Sequence, residues 1–233
     1  MASPHSEQSM SARNDSNLAQ AGLSAAALAG GQSRRMGTDK ALLPLMAGER
    51  PMLSLVLERL SGISDDVFVV ANDRARYEAL GARVVPDLHP DVGALGGIQA
   101  AIASSAHNHC LVVACDMPFL SVPLLCRMAN EPRDYDVLVP LIPGDSKQRI
   151  DGLVFETLHA IYSKRCLPFI ERRIAEGNNR VVGFFEDVHV RTLDAEKIAR
   201  WDPSFRSFFN ANTPEAMLIA AEISALAERN AND

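Results

Sequence analysis

The chain alternates short apolar runs with amphipathic stretches, and each early run stops abruptly at a glycine, asparagine, aspartate or proline. Leu23 to Leu28 leads into Gly30 and Gly31, Asp66 to Ala71 into Asn72, Arg83 to Pro86 into Asp87, and His109 to Asp116 into Pro118. Between them, Met52 to Leu60, Asp73 to Leu80, Leu95 to Ser104 and Val122 to Ala129 carry helical periodicity. Short runs without polar alternation suit strands buried on both faces. Their alternation with helices predicts an α/β fold: a three-layer, Rossmann-like, mostly parallel sheet with helices on both faces. Open sheets of this kind bind ligands beyond the carboxyl ends of their strands. The glycines, Asp87 and Asp116 all fall there.

A break at Ile142-Pro-Gly-Asp145 opens a second half. It is expected to hold the run Gly152 to Phe155, a long helix from Leu158 to about Ala175, a strand at His189 to Leu193 and a last helix from Pro214 to about Glu228. Thr213 suits the N-cap of that helix and Pro214 its first position. Residues 1–20 are polar, small and without a period, which predicts a flexible extension; residues 21–233 are expected to form a single domain.

With 233 residues, 47% of them hydrophobic and 22% charged, the chain can bury one sizeable core. Its net charge of −6 argues against nucleic acid as a partner, because backbone binding needs a cationic surface. No apolar stretch reaches membrane-spanning length and no export signal opens the chain, so no membrane association and a cytoplasmic location are expected. The four cysteines show no paired spacing and are expected as reduced thiols.

Positive charge gathers where the first run ends, in Leu28-Ala-Gly-Gly-Gln-Ser-Arg34-Arg35-Met-Gly37-Thr-Asp-Lys40. Glycines let backbone N–H groups approach phosphate oxygens, and Arg34, Arg35 and Lys40 supply countercharge. The spacing matches neither a Walker A loop nor a dinucleotide fingerprint. From the residues alone, it is either a phosphate cradle or a solvated basic turn. Other positions are similarly two-sided. Asp116, ending a run before Pro118, is either a Mg²⁺ ligand or the cap of the next helix. Asp87 is either a turn residue before Pro90 or an acceptor for paired N–H donors of a base. Asn210 and Asn212, two residues apart at an expected strand end and so facing one side, either meet phosphate or metal-bound water near Asp116 or cap the last helix.

The thirteen-residue loop, the Cys-Asp-x-Pro-Phe string at Asp116 and the segment Asn210-Ala-Asn212-Thr-Pro-Glu215 together resemble the molybdenum cofactor guanylyltransferases. The resemblance implies a nucleotidyltransferase fold, with a nucleotide-binding half over about 21–140 and an acceptor half over about 141–233. It implies that Leu28, Ala29, Gly30 and Gly31 present backbone groups to the nucleotide and that Lys40 contacts the phosphates, with Arg35 beside it. It makes Asp116 the ligand of Mg²⁺, Asp87 the reader of the base, and Asn210 and Asn212 acceptor or phosphate contacts. Arg35, Lys40 and Asp116 would then be catalytic. The reaction implied transfers GMP from GTP to molybdenum-loaded molybdopterin with release of pyrophosphate, placing molybdenum-insertion proteins and molybdoenzymes or their chaperones among expected partners.

Two departures are visible. Gly93-Ala-Leu-Gly96-Gly97 stands where relatives have Gly-Pro-Leu-Ala-Gly, a change of small for small. Thr157 stands where a proline is usual, in the stretch Glu156 to Tyr162 expected to face the acceptor with help from Lys164, Arg165 and the cations beyond. A cytidylyltransferase of the same fold and a non-catalytic nucleotide-binding cofactor chaperone are the rival readings. His107 and His109 lack further clustered ligands and are expected to be structural. Asn72 is expected to line the nucleotide pocket.

Overall fold

A computed structural model describes residues 22–29, 40–45, 50–144 and 152–232. The proposed extension, Gly30, Gly31, Arg34, Arg35, Gly37 and the Lys40 side chain lie outside the described residues.

Eight strands form one sheet: β1 (Leu23–Leu28), β2 (Asp66–Val70), β3 (Arg83–Val85), β4 (His109–Ala114), β5 (Val137–Pro143), β6 (Leu153–Phe155), β7 (His159–Ser163) and β8 (Val190–Asp194). Their order is β3-β2-β1-β4-β7-β5-β6, with β8 also paired to β5. All six residues of β1 and of β4 are buried, which explains why these strands carry no polar alternation.

Helices α1 (Met52–Ser61), α2 (Arg74–Glu78), α3 (Ala94–Ser104), α4 (Val122–Ala129), α5 (Leu167–Ala175), α6 (Ala195–Ala199) and α7 (Pro214–Asn232) complete the fold. Side chains alternate across β1 and β4, so each face of the sheet has its own core. On one face Ala25, Ala27, Leu111 and Val113 pack with Leu53, Val56 and Leu60 of α1 and Leu124 and Met128 of α4. On the other, Ala26, Leu28 and Val112 pack with Leu95, Ile98 and Ile102 of α3 and Ile170 of α5. The expected three layers are present.

The strands β3, β2, β1 and β4 are mutually parallel, in registers that pair Leu28 with Val70 and with Ala114, and Val70 with Val85. Four carboxyl ends therefore share one edge of the sheet. The chain leaves β1 towards β2 on one side and adds β4 on the other, so the crevice of an open sheet opens between β1 and β4.

The second half differs from expectation first at β7. His159 to Ser163 is strand β7, not the first turns of a long helix, and the helix starts only at Leu167. β7 runs antiparallel between β4 and β5, with all five residues buried. A strand buried on both faces reads as an uninterrupted apolar run, which periodicity cannot separate from helix. Ser163 then accepts from the Arg165 N–H to cap a 3-10 turn, and Pro168 sits in the first turn of α5.

Candidate active site

The sheet's carboxyl edge is closed by ladder bonds that continue past the strands. Ala29 N–H donates to Val70 O at 3.0 Å, Ala71 N–H to Val85 O at 2.9 Å, and Cys115 N–H to Leu28 O at 3.2 Å. Leu28 and Ala29 are buried at this edge. Lys40 returns the chain as the first residue of a 3-10 turn, Lys40–Leu42. Met52 N–H then donates to Leu43 O at 3.0 Å, fixing the far end of the loop to the start of α1.

Asp87 follows β3 by two residues. Its backbone N–H donates to Asn72 Oδ1 at 2.8 Å, so the residue ending β2's run holds the residue ending β3's. Asp87 Oδ1 accepts the His89 N–H at 2.8 Å. That is the turn role considered from sequence, but it engages only one oxygen, and Oδ2 has no partner among the described residues.

The next turn shows why glycine stands at 96. A Cβ there would lie 2.5 Å from His89 O and 3.1 Å from Asp87 Oδ1, so the Asp87 loop rests directly on the backbone of α3. A Cβ on Gly97 would lie 3.0 Å from Leu28 Cδ1. Gly93, with φ of 79°, turns the chain into α3 without a side-chain cap, a backbone conformation that glycine adopts without strain.

Asp116 lies in the turn after β4. It does not cap α4: Ser121 does, accepting the Leu124 N–H at 3.4 Å. Asp116 O instead accepts the Ala211 N–H at 2.8 Å, so the segment carrying Asn210 and Asn212 is tied to the residue it was expected to approach. That segment is not a strand end, as the sequence suggested. It follows a 3-10 turn, Arg206–Phe208, which is fastened to α4 by the bond from Ser121 N–H to Ser207 Oγ at 2.7 Å. Buried Asp202 holds the same turn, accepting the Ser207 N–H at 2.8 Å. At the start of α7, Thr213 Oγ1 accepts the Ala216 N–H at 3.1 Å. Asn210 Nδ2 donates to Phe208 O at 3.3 Å.

Beneath this segment His159 is fully buried, its ring 4.8 Å from that of Phe208. Neither ring nitrogen makes a well-aligned hydrogen bond. Burial drives its pKa down to about 4, against smaller upward pulls from the Ser207 backbone and the Asp202 carboxylate. The ring is therefore neutral in the fold at ordinary pH.

Sequence reasoning named Glu156 only as part of an acceptor-facing stretch and gave its carboxylate no role. It begins the turn into β7, where His159 N–H donates to Glu156 O at 3.3 Å and Glu156 N–H donates to Pro140 O at 3.0 Å. Burial raises its pKa, the Leu158 N–H on the carboxylate lowers it, and the nearby Asp116 charge raises it again. The sequence signal was there in outline: a lone acid among apolar residues immediately before a buried strand.

The basic stretch beyond β7 does not join the site. Because β7 is antiparallel to β4, Ser163 pairs with His109 at the opposite edge of the sheet. Lys164 Nζ donates to Ser105 O at 2.7 Å and Arg165 pairs with Asp136. Arg172 and Arg173 pair with Asp187. These cations are committed to structure. His107 pairs with Asp65 at 2.8 Å and His109 packs edge-on against Tyr135, both structural, as expected. Burial pushes the Cys110 and Cys166 thiols up to about 12, which removes them as nucleophiles.

A mostly parallel sheet with its switch point beside Leu28, and aspartates just beyond β3 and β4 on the same carboxyl edge, defines a nucleotide-handling α/β protein. The model of the MobA-like NTP transferase domain matches residues 25–190, and the chain belongs to that family of nucleotidyltransferases. A probable molybdenum cofactor guanylyltransferase of Pelotomaculum thermopropionicum is 37% identical, over 83% of this chain and 89% of its own. The molybdenum cofactor guanylyltransferase of Desulfosudis oleivorans is 33% identical over 82% and 90%. Among solved structures, the molybdopterin-guanine dinucleotide biosynthesis protein A of Archaeoglobus fulgidus superposes with a TM-score of 0.70 at 30% identity, covering 87% of this chain and 98% of that one. A 4-diphosphocytidyl-2C-methyl-D-erythritol synthase of Anaerococcus prevotii, at 15% identity and a TM-score of 0.62, shares the fold.

Proposed function

We propose that the protein transfers GMP from GTP to molybdenum-loaded molybdopterin, forming the guanine dinucleotide cofactor and pyrophosphate. Asp87 carries this reading: Asn72 and the bare backbone of Gly96 fix the loop that presents it, while Oδ2 stays without a partner among the described residues. A carboxylate oxygen so held accepts the N1–H and exocyclic amino group of guanine, a donor pair that cytosine and uracil do not offer in that arrangement. The family relationship to guanylyltransferases supports the same base.

In the reaction, an oxygen of the acceptor's terminal phosphate attacks the α-phosphorus of GTP. A new P–O bond forms as the bond to the β-phosphate's bridging oxygen breaks, and pyrophosphate leaves. The attacking group is already anionic, so no base need be generated and no covalent enzyme intermediate is required. The chain's task is alignment and charge neutralisation. Gly30, Gly31, Arg35 and Lys40 are assigned to the phosphates, with Leu28 and Ala29 flooring the nucleotide. Asn210 and Asn212 are assigned to the acceptor's phosphate.

Asp116, with Asn210 and Asn212 on the segment bonded to it, offers hard oxygen donors of the kind Mg²⁺ prefers. Among the described residues no group of three or more His, Cys, Asp or Glu is arranged for a metal. One carboxylate completed by phosphate and water oxygens therefore fits Mg²⁺ better than a dedicated protein cage fits it. Bound there, Mg²⁺ would act as a Lewis acid on the phosphates and a template for the leaving group.

The test is pyrophosphate release with each of the four nucleoside triphosphates, Mg²⁺ and molybdenum-loaded molybdopterin. Release with GTP alone, lost in Asp116→Asn, is expected. Release with CTP assigns a cytidylyltransferase, and binding without release assigns a carrier. The protein partners that supply the acceptor and receive the product are expected to be molybdenum-insertion proteins and molybdoenzymes or their chaperones.

A further inference from the structure

We propose that Phe209 is a positioning residue for the transfer step. Its ring holds the segment that carries Asn210 and Asn212 in one frame with the Asp116 turn and with the chain returning from Lys40. This role rests on the reading of those three pieces as the acceptor, metal and phosphate parts of one site.

Besides the cores on the two faces of the sheet, a third and smaller one draws a residue from each of these pieces. Leu45 comes from the chain beyond the Lys40–Leu42 turn, and Met52 from the start of α1, where its N–H is bonded to Leu43 O. Phe119 comes from the turn just beyond Asp116, and Phe209 and Ala211 from the asparagine segment. Ala220 of α7 packs with them. The Asp87 side has its apolar support elsewhere, since Leu28, Val85 and Leu95 belong to the core on the α3 face.

Phe208 and Phe209 belong to different cores. Phe208 joins the core on the α1 and α4 face, its ring against His159. Phe209, with extended backbone at φ −72° and ψ 123°, sets its ring 5.9 Å from that of Phe119, the planes tilted by 56°. Two residues on, Ala211 is fully buried in the same small core, and its N–H is the one bonded to Asp116 O. Residues two apart along extended backbone share a side, so burying Phe209 and Ala211 leaves the other side to Asn210 and Asn212. Of these, Asn210 is half-buried and Asn212 exposed. A single hydrogen bond between two turns permits rotation about itself, and the ring pair beside it removes that freedom. Neither ring has a group that binds phosphate or metal, so Phe209 acts only through the residues it places.

The test is steady-state pyrophosphate release, with whichever nucleoside triphosphate the wild type uses, Mg²⁺ and molybdenum-loaded molybdopterin. Phe209→Ala, Phe209→Leu, Phe119→Ala, the double alanine variant and Phe184→Leu are compared, with melting temperatures measured alongside and kinetics run where every variant is folded. Phe184 is fully buried in the α3-face core, so its variant reports what lost packing alone does. Phe209→Ala is expected to lose about thirtyfold in kcat, because misplacement by about 1 Å costs on the order of a hundredfold, while KM for the nucleotide changes by less than about threefold. Phe209→Leu, which refills the space, should recover to within about threefold of wild type. The double variant should lose little more than Phe209→Ala, since both changes break one contact. A kcat for Phe209→Ala equal to that of Phe184→Leu, or losses that simply multiply in the double variant, would overturn the proposal and leave the reading of the site standing. A wild type that releases no pyrophosphate from any nucleotide removes the transfer reading and this role with it. Should the alanine variant not accumulate, Phe209→Val is held to a loss of about tenfold in kcat.

Discussion

Replacing His159 with leucine should remove a specific share of the protein's acid sensitivity. The imidazole is fully buried against Phe208, and its pKa falls from 6.5 to about 4 on folding. Folding therefore requires the neutral ring. Between these two values the unfolded chain binds a proton that the folded chain does not, so stability falls as pH falls through this window. At about 1.4 kcal/mol per unit, the depression corresponds to about 3 kcal/mol, most of it lost by about pH 4.5. The aspartates add their own losses lower down. For Asp66, burial is outweighed by Ser24, the Ala106 N–H and Arg83; for Asp136, by the His189 N–H and Arg165; both are held below the ordinary carboxylate value, and their contribution is lost as pH falls from that value through the lowered one. His109, also depressed by burial, acts in the same direction as His159. Those contributions are common to both proteins and cancel in the comparison. The assay is urea unfolding at pH 7, 6, 5 and about 4.5 on wild type and His159→Leu, whose side chain is of similar volume. The wild type should lose about 2 to 3 kcal/mol more than the variant across the range. Parallel curves would refute the assignment of a neutral, desolvated ring to this position.

Three further outcomes are expected. Gly96→Ala forces a Cβ to 2.5 Å from His89 O, so the Asp87 loop must lift from α3; a loss of about 2 kcal/mol and a rise in KM for GTP of at least about tenfold should follow, measured by thermal melting and steady-state kinetics. Asn72→Ala removes the acceptor for the Asp87 N–H; KM for GTP should rise about fivefold with kcat little changed, equivalent to about 1 kcal/mol. Ser207→Ala breaks the bond from Ser121 N–H and leaves that donor unsatisfied; stability in urea should fall by about 1 to 2 kcal/mol, and a value near zero would show that the turn is not fastened to α4 there.

The parallel half of the fold was legible because each of its strands ends at a residue that cannot continue it, which also placed Asp87 and Asp116 at the sheet's carboxyl edge. Asp87 and Asp116 declared themselves by position. β7 did not, since His159, Ala160, Ile161 and Tyr162 are buried on both faces and merge into the apolar pattern of the helix that follows. Missing the strand also misplaced the cations: along a helix, Lys164 and Arg165 would stay near Glu156, whereas an extended strand carries them to the other edge. Strand register is a long-range property that a local pattern does not contain.

β7 also acts as a caliper. It is the strand through which the parallel strands β1 to β4 and the β5–β8 half meet in the sheet, pairing with β4 on one side and β5 on the other. A slip of two residues in either pairing would keep every side chain on its proper face yet displace one half by about 7 Å, enough to part a phosphate nucleophile from its phosphorus. What resists such a slip is the fit of Ile161 into one core and of Ala160 and Tyr162 into the other. The span between donor and acceptor is thus calibrated by hydrocarbon packing in the middle of the sheet, well away from any group that touches a substrate.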